Sequence, residues 1–87
     1  MASPATEYLM PTSKTQTIID DITSRIRSRA LMPGDPLPSG REMREQYGVS
    51  QMTVRIALER LRAAHLVTTL HGVGSWVADD AHVHLRE

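Results

Sequence analysis

The residues of this chain best equipped for chemistry are Arg41 and a cluster of six consecutive positions that holds Ser50, Gln51, Met52, Thr53 and Arg55. An arginine fork donates two parallel hydrogen bonds to a guanine edge or to a phosphate, and a glutamine amide both donates to and accepts from an adenine edge. Serine and threonine hydroxyls bond phosphate oxygens, and a methionine can press on a thymine methyl or simply face solvent. Further on, His71, Gly72 and Gly74 form a second group. The glycines permit positive φ and close approach of the backbone to a ligand, although glycines in a tight turn need no such purpose. A protonated His71 would donate to a phosphate; otherwise it is an ordinary turn residue. This inventory serves recognition rather than bond making. His82 and His84 supply only half of a tetrahedral metal site, and there is no cysteine to complete one. Neither a nucleophile elbow nor a phosphate loop occurs. No catalysis, metal or cofactor is expected.

The chain has 87 residues, with ten Lys plus Arg balanced by ten Asp plus Glu, no Cys and no Phe. At this size it forms one small domain and buries only about 60% of the surface its unfolded chain exposes, which excludes a cleft between domains. A chain without cysteine has no disulfide framework and suits a reducing compartment. The first residues lack a basic patch followed by an apolar run, and no apolar stretch is long enough to span a bilayer, so a soluble, cytoplasmic protein is expected. The zero net charge hides an asymmetry. Residues 39–77 hold Arg41, Arg44, Arg55, Arg60 and Arg62 against Glu42, Glu45 and Glu59, a net charge of two positive, and the rest of the chain balances it. That bias alone carries little weight.

The elements that must position these residues follow from hydrophobic period and capping. Residues 1–12 lack a sustained period and read as a flexible lead-in. Ser13 and Gln16 have the spacing of a capping box, after which Ile18, Ile19, Ile22, Ile26 and Ala30 make one apolar stripe. Acids lead and arginines trail along this helix, complementing its macrodipole, and Pro33-Gly34 is expected to stop it. Asp35-Pro36-Leu37-Pro38 cannot be helical and reads as a short edge strand or bare connection. Ser39 and Glu42 form another capping box that opens a short helix with Met43 and Tyr47 inward, and Gly48 closes it in a left-handed cap. Ser50 caps a third helix whose core stripe is Val54, Ala57, Leu58 and Leu61. The 100° step per residue turns Gln51, Met52, Arg55, Ile56 and Glu59 away from that core.

Two helices separated only by Gly48-Val49-Ser50 must cross steeply, as in a helix-turn-helix, whose second helix meets base edges with its N-terminal residues. Ser50 caps that helix whether or not a ligand is present, and Thr53 sits at the capping return position, so phosphate contact is a second role for both. Arg41 lies in the first turn of its helix, where the macrodipole opposes a cation; a salt bridge with Glu45 is its bland explanation. Leu66-Val-Thr-Thr-Leu70 and Ser75-Trp-Val-Ala78 flank a glycine turn as a hairpin, with Trp76 and Ala78 expected on the core side. From Asp79 onward the sequence is polar, and residues 79–87 read as the start of a linker or a frayed tail.

Pro33-Gly-Asp-Pro-Leu-Pro-Ser39, Arg41-Glu42, Gly48-Val-Ser50, Thr53-Val-Arg55, Ala57-Leu58, Leu61 and Gly72-Val-Gly-Ser-Trp-Val77 together resemble the N-terminal domain of the gluconate-repressor (GntR) family of bacterial transcription regulators. The resemblance runs from about Ser13 to Val77, and the Ser39 motif and the hairpin look most like its HutC-like branch. It implies a mainly α fold with a small antiparallel β-hairpin wing, a three-helix winged helix-turn-helix, over residues 13–78. It also implies sequence-specific binding of a double-stranded DNA operator, most often in repression. Arg41, Ser50, Gln51, Met52, Thr53 and Arg55, with His71, Gly72 and Gly74 of the wing, are then the expected DNA contacts. Gln51 departs from the family, which commonly has arginine there, and Gly40 replaces a common glutamate. Relatives usually continue into an effector-binding and dimerising domain, so the full-length protein is expected to be a homodimer on a palindrome and the isolated chain a monomer. The alternative from another class is a winged helix used for protein contact, with Met52 and Ile56 as its exposed apolar residues.

Overall fold

Local signals and long-range pairing divide the work of folding. The computed structural model describes residues 13–70 and 72–85. The expected lead-in, residues 1–12, and His71 lie outside them. Three helices, α1 (Ser13–Arg27), α2 (Gly40–Tyr47) and α3 (Gln51–Ala63), precede a hairpin of β1 (Val67–Leu70) and β2 (Gly74–Val77), and a short α4 (Ala81–Leu85) follows. The core is the meeting of the apolar faces read from the sequence: Ile18, Ile22 and Ile26 of α1, Met43 of α2, and Val54, Ala57 and Leu61 of α3 are buried, joined by Val67 and Val77 of the hairpin. Leu58 is only half-buried at the edge of this cluster.

Helix α1 ends at Arg27, ahead of the expected stop at Pro33-Gly34. Arg29 turns left-handed at φ 70°, and its N–H reaches the Ile26 carbonyl at 3.1 Å. Ala30 consequently leaves the apolar stripe and is exposed. Near the start of α1, Gln16 donates from Nε2 to Asp20 Oδ1 one turn ahead at 2.8 Å.

The later caps match their sequence signals. Ser39 Oγ accepts from the Glu42 N–H at 3.1 Å while Glu42 Oε1 accepts from the Ser39 N–H at 2.8 Å. Gly48 ends α2 at φ 64°, and the Val49 N–H returns to the Arg44 carbonyl. At the end of α3 the left-handed position falls to His65 at φ 64°. Its N–H bonds the Arg62 carbonyl at 2.9 Å and the Leu66 N–H bonds the Leu61 carbonyl at 3.0 Å, a Schellman arrangement that a non-glycine residue enters at a conformational cost.

Residues 35–38 lie along the free edge of β2. Val77 N–H donates to the Asp35 carbonyl and Leu37 N–H to the Ser75 carbonyl, each at 2.9 Å. Pro36 and Pro38 alternate with Leu37, so their nitrogens face away from the ladder, the one arrangement in which an edge tolerates prolines.

Two expectations are corrected. Trp76 was expected in the core, but the register pairs Val67 with Val77 and Thr68 with Trp76. Val77 therefore faces the helices and Trp76 is half-buried on the other face, beside Gly74. Of the stretch read as a linker or frayed end, Ala81–Leu85 instead forms α4: Ala81 is 0% exposed, and His82 Nε2 donates to the Ile26 carbonyl at 3.0 Å. Ala81, Leu85 one turn on and a side-chain cap on the end of α1 seat it, too short an apolar pattern to read in sequence. His84 accompanies this contact, 3.1 Å from Asp80 and stacked on His65 with ring centres 4.8 Å apart.

Candidate nucleic-acid interface

Helix α3 buries one stripe and so must present the other. Gln51, Met52, Arg55 and Glu59 are exposed along it, with Met52 at 61% exposure, whereas Ile56 is half-buried rather than turned fully outward. Ser50 precedes the helix in extended geometry and its Oγ accepts from the Thr53 N–H at 3.3 Å. The two hydroxyls, Ser50 Oγ and Thr53 Oγ1, lie 3.2 Å apart. A single side-chain acceptor satisfies one of the donors at this helix end, which leaves the Gln51 and Met52 N–H groups available to an anion.

Gly40, at the N-terminus of α2, and Gln51, at that of α3, border the same surface. Between them and the wing lies an open concavity of about 700 Å³, lined among others by Gly40, Gln51, Thr69, Gly72, Gly74 and Trp76. A neighbouring depression is lined by Gln51, Arg55, Glu59 and Arg62. Gln51 belongs to both, so it stands where the recognition face of α3 meets the wing. The structure thus brings Gln51, Arg55, Gly72 and Gly74 to one concave side. Arg41, Ser50, Met52 and Thr53 are at the adjoining helix starts and line neither depression. His71 lies outside the described residues.

Gly72 adopts φ 77°, where a side chain is strained, and Gly74 adopts φ 154°. The turn they make holds Val73 at the tip with 71% exposure.

Each arginine meets an acid one helical turn further on. Arg41 Nε is 3.6 Å from Glu45 Oε2, the bland partner expected for it, and Arg55 Nε is 3.8 Å from Glu59 Oε2. Both pairs are largely solvent-exposed and therefore weak constraints on stability.

Sequence reasoning missed four contributors. Thr69 Oγ1 and Ser75 Oγ lie 3.0 Å apart one pair in from the turn of the wing, a pair visible only once the strand register is known. Gly40, treated as a departure in the first turn of α2, lines both depressions. Glu59 stands beside Arg55, a proximity that the spacing of four on a helix already carried.

The sequence matches the family described as "Bacterial regulatory proteins, gntR family" over residues 14–77. It is 43% identical over 61 residues to the HTH-type transcriptional repressor NagR of Bacillus subtilis, covering 70% of this chain and 25% of that protein. It is 40% identical over 58 residues to the histidine utilization repressor of Klebsiella aerogenes, covering 67% of this chain and 24% of that protein. The chain thus spans about a quarter of the length of these two relatives. Among solved structures, the DNA-binding domain of AraR in complex with operator ORX1 superposes with a TM-score of 0.76 and 29% identity, over 90% of this chain and 92% of that one. The same AraR domain in complex with operator ORR3 gives a TM-score of 0.72 and 31% identity, over 75% of this chain and 78% of that one. Three helices, a two-stranded wing and this agreement over residues 14–77 lead to one conclusion: the chain belongs to the gntR family of bacterial regulatory proteins.

Proposed function

We propose that this chain is the operator-binding module of a bacterial transcriptional regulator, most simply a repressor. The observation that carries the reading is that Gln51, at the start of α3, lines one concavity with the Gly72–Gly74 wing and an adjoining depression with Arg55, in a fold shared with an AraR domain solved on its operator. Helix α3 enters the major groove. Arg55 reads a base edge, Gln51 reads adenine where relatives commonly carry arginine, and Met52 meets a thymine methyl. Ser50, Thr53 and the free N–H groups of the helix start hold a phosphate, as does Arg41 from the start of α2. Gly72 and Gly74 let the wing backbone approach the minor groove, with His71 donating to a phosphate. Phosphate contacts supply most of the affinity and make it salt-dependent.

For the whole protein the reading extends to a cytoplasmic homodimer on a palindromic operator, the isolated chain being a monomer that cooperates only on DNA. Among the described residues no helix is long and apolar enough to cross a membrane. The relatives are named as transcriptional regulators, which favours a non-enzymatic role. A protein-docking role for the same face is weakened because Ile56 is half-buried, leaving Met52 without its expected apolar neighbour.

The test is an amide NMR titration of the labelled chain with a short random-sequence duplex at low salt. Shifts clustered at Arg41, residues 50–55 and residues 72–74, fading as salt is added, are expected. Still amides at these positions in a folded chain would sink the DNA reading and direct attention to a protein partner of Met52.

A further inference from the structure

Helix α3 carries a ladder of three outward side chains at steps of four: Gln51, Arg55 and Glu59, all lining the same depression. The last of them is anomalous on a DNA-facing surface, because a carboxylate there is repelled by every phosphate it approaches. Helix stability does not account for it. An ion pair one turn apart stabilises a helix best when the acid comes first, the order that complements the macrodipole. Helix α1, which contributes nothing to the concavity, has that order: Asp21 precedes Arg25, with Oδ1 and Nε 3.4 Å apart. The two helices at the interface reverse it, Arg41 before Glu45 and Arg55 before Glu59. With the Arg55 and Glu59 side chains 71% and 54% exposed, the pair adds little to folding.

The atoms that meet tell what the pair does instead. Glu59 approaches Arg55 at Nε, the position next to the aliphatic stem. At 3.8 Å this is an ion pair without a hydrogen bond, and its electrostatic pull biases the guanidinium toward the Nε side while the terminal Nη1 and Nη2 groups, which fork onto guanine O6 and N7, are left to a partner. A negative charge at this point also penalises an arginine that swings out to a phosphate.

We propose that Glu59 is a positioning residue for Arg55 and through it a determinant of base specificity, orienting the guanidinium for a base edge and weakening its loose contacts with phosphate. The proposal rests on the DNA-binding reading above and deepens it. Glu59 contributes to discrimination, not to raw affinity.

The test begins with selection of a preferred duplex by the unaltered chain from a pool with a randomised core. Fluorescence anisotropy then compares the selected duplex, its variants substituted at each base pair, and a scrambled duplex, for the unaltered chain, Glu59→Gln, Arg55→Ala and the double variant. Glu59→Gln is expected to bind the scrambled duplex several-fold more tightly, as a lost negative charge requires. It is also expected to lose about tenfold in discrimination at the base pair that Arg55→Ala identifies, a size within the range of one bidentate contact. In the Arg55→Ala background the same change should leave discrimination unaltered, a coupling that a purely structural or bulk-charge role would not produce. Undiminished discrimination by Glu59→Gln, or the same loss in both backgrounds, would overturn the inference while leaving DNA binding intact. A pool from which the unaltered chain enriches nothing removes base reading itself, and this inference with it.

Discussion

The Tyr47 hydroxyl donates to the carboxylate of Asp21, tying the last residue of α2 to the middle of α1. This is a polar clamp between the helix whose first turn carries Arg41 and the helix that supports it. Burial first, and then the bond to Asp21, push the Tyr47 pKa up to about 12 from 10.0. Because the folded state holds this proton more tightly than the unfolded chain, its contribution to stability is complete below pH 10 and lost as the pH rises toward about 12. Tyr47→Phe should cost about 1 kcal/mol near neutrality, as a lost hydrogen bond does. It should also flatten the alkaline slope, and urea unfolding across that pH range checks both; an unchanged slope would mean the clamp does not form.

Arg55→Ala and Arg41→Ala are expected to differ in kind. The first should relax preference at one base pair by about 1–3 kcal/mol and leave the affinity for random duplex nearly unaltered. The second should weaken all duplexes alike and reduce the salt slope by about one. Binding isotherms on selected and random DNA at several salt concentrations separate them, and equal loss on both duplexes for Arg55→Ala would refute its base-reading role.

Gly72→Ala tests the wing. At φ 77° an alanine is strained, yet nothing lies within 4 Å of the added Cβ, so the cost is conformational, about 1 kcal/mol. Gly72→Asn should be tolerated better, since asparagine enters the left-handed region more readily. Thermal unfolding of both variants measures the difference.

Ala81→Asp tests the seat of α4. Placing a carboxylate at a 0% exposed position should unseat the helix and lower stability by about 2 kcal/mol or more. A free tail would ignore the substitution, so an unchanged melting temperature would return residues 79–87 to the linker that the sequence suggested.

How much was legible follows from the range of each signal. The three buried isoleucines of α1, Ile18, Ile22 and Ile26, the stripe Val54, Ala57 and Leu61 of α3, the Ser39 and Ser50 caps and the Gly48 stop are each local signals, because helical period and capping are local. These determine by themselves that α1, α2 and α3 form with only a tight turn between the last two, and that Arg55 points outward. Tertiary structure decided what depends on distant partners. The pairing of Val67 with Val77 turned Trp76 to the outer face. The Leu37 N–H donating to the Ser75 carbonyl and the Asp35 carbonyl accepting from the Val77 N–H laid a proline-rich connection along the edge of β2 as an isolated bridge. The carbonyl of Ile26 gave His82 a partner and Ala81 a seat on α1. Only the docking of the wing against α3 put Gln51, Arg55 and the turn glycines on one concave side, since no local period encodes how two elements joined by a loop are set against a shared core.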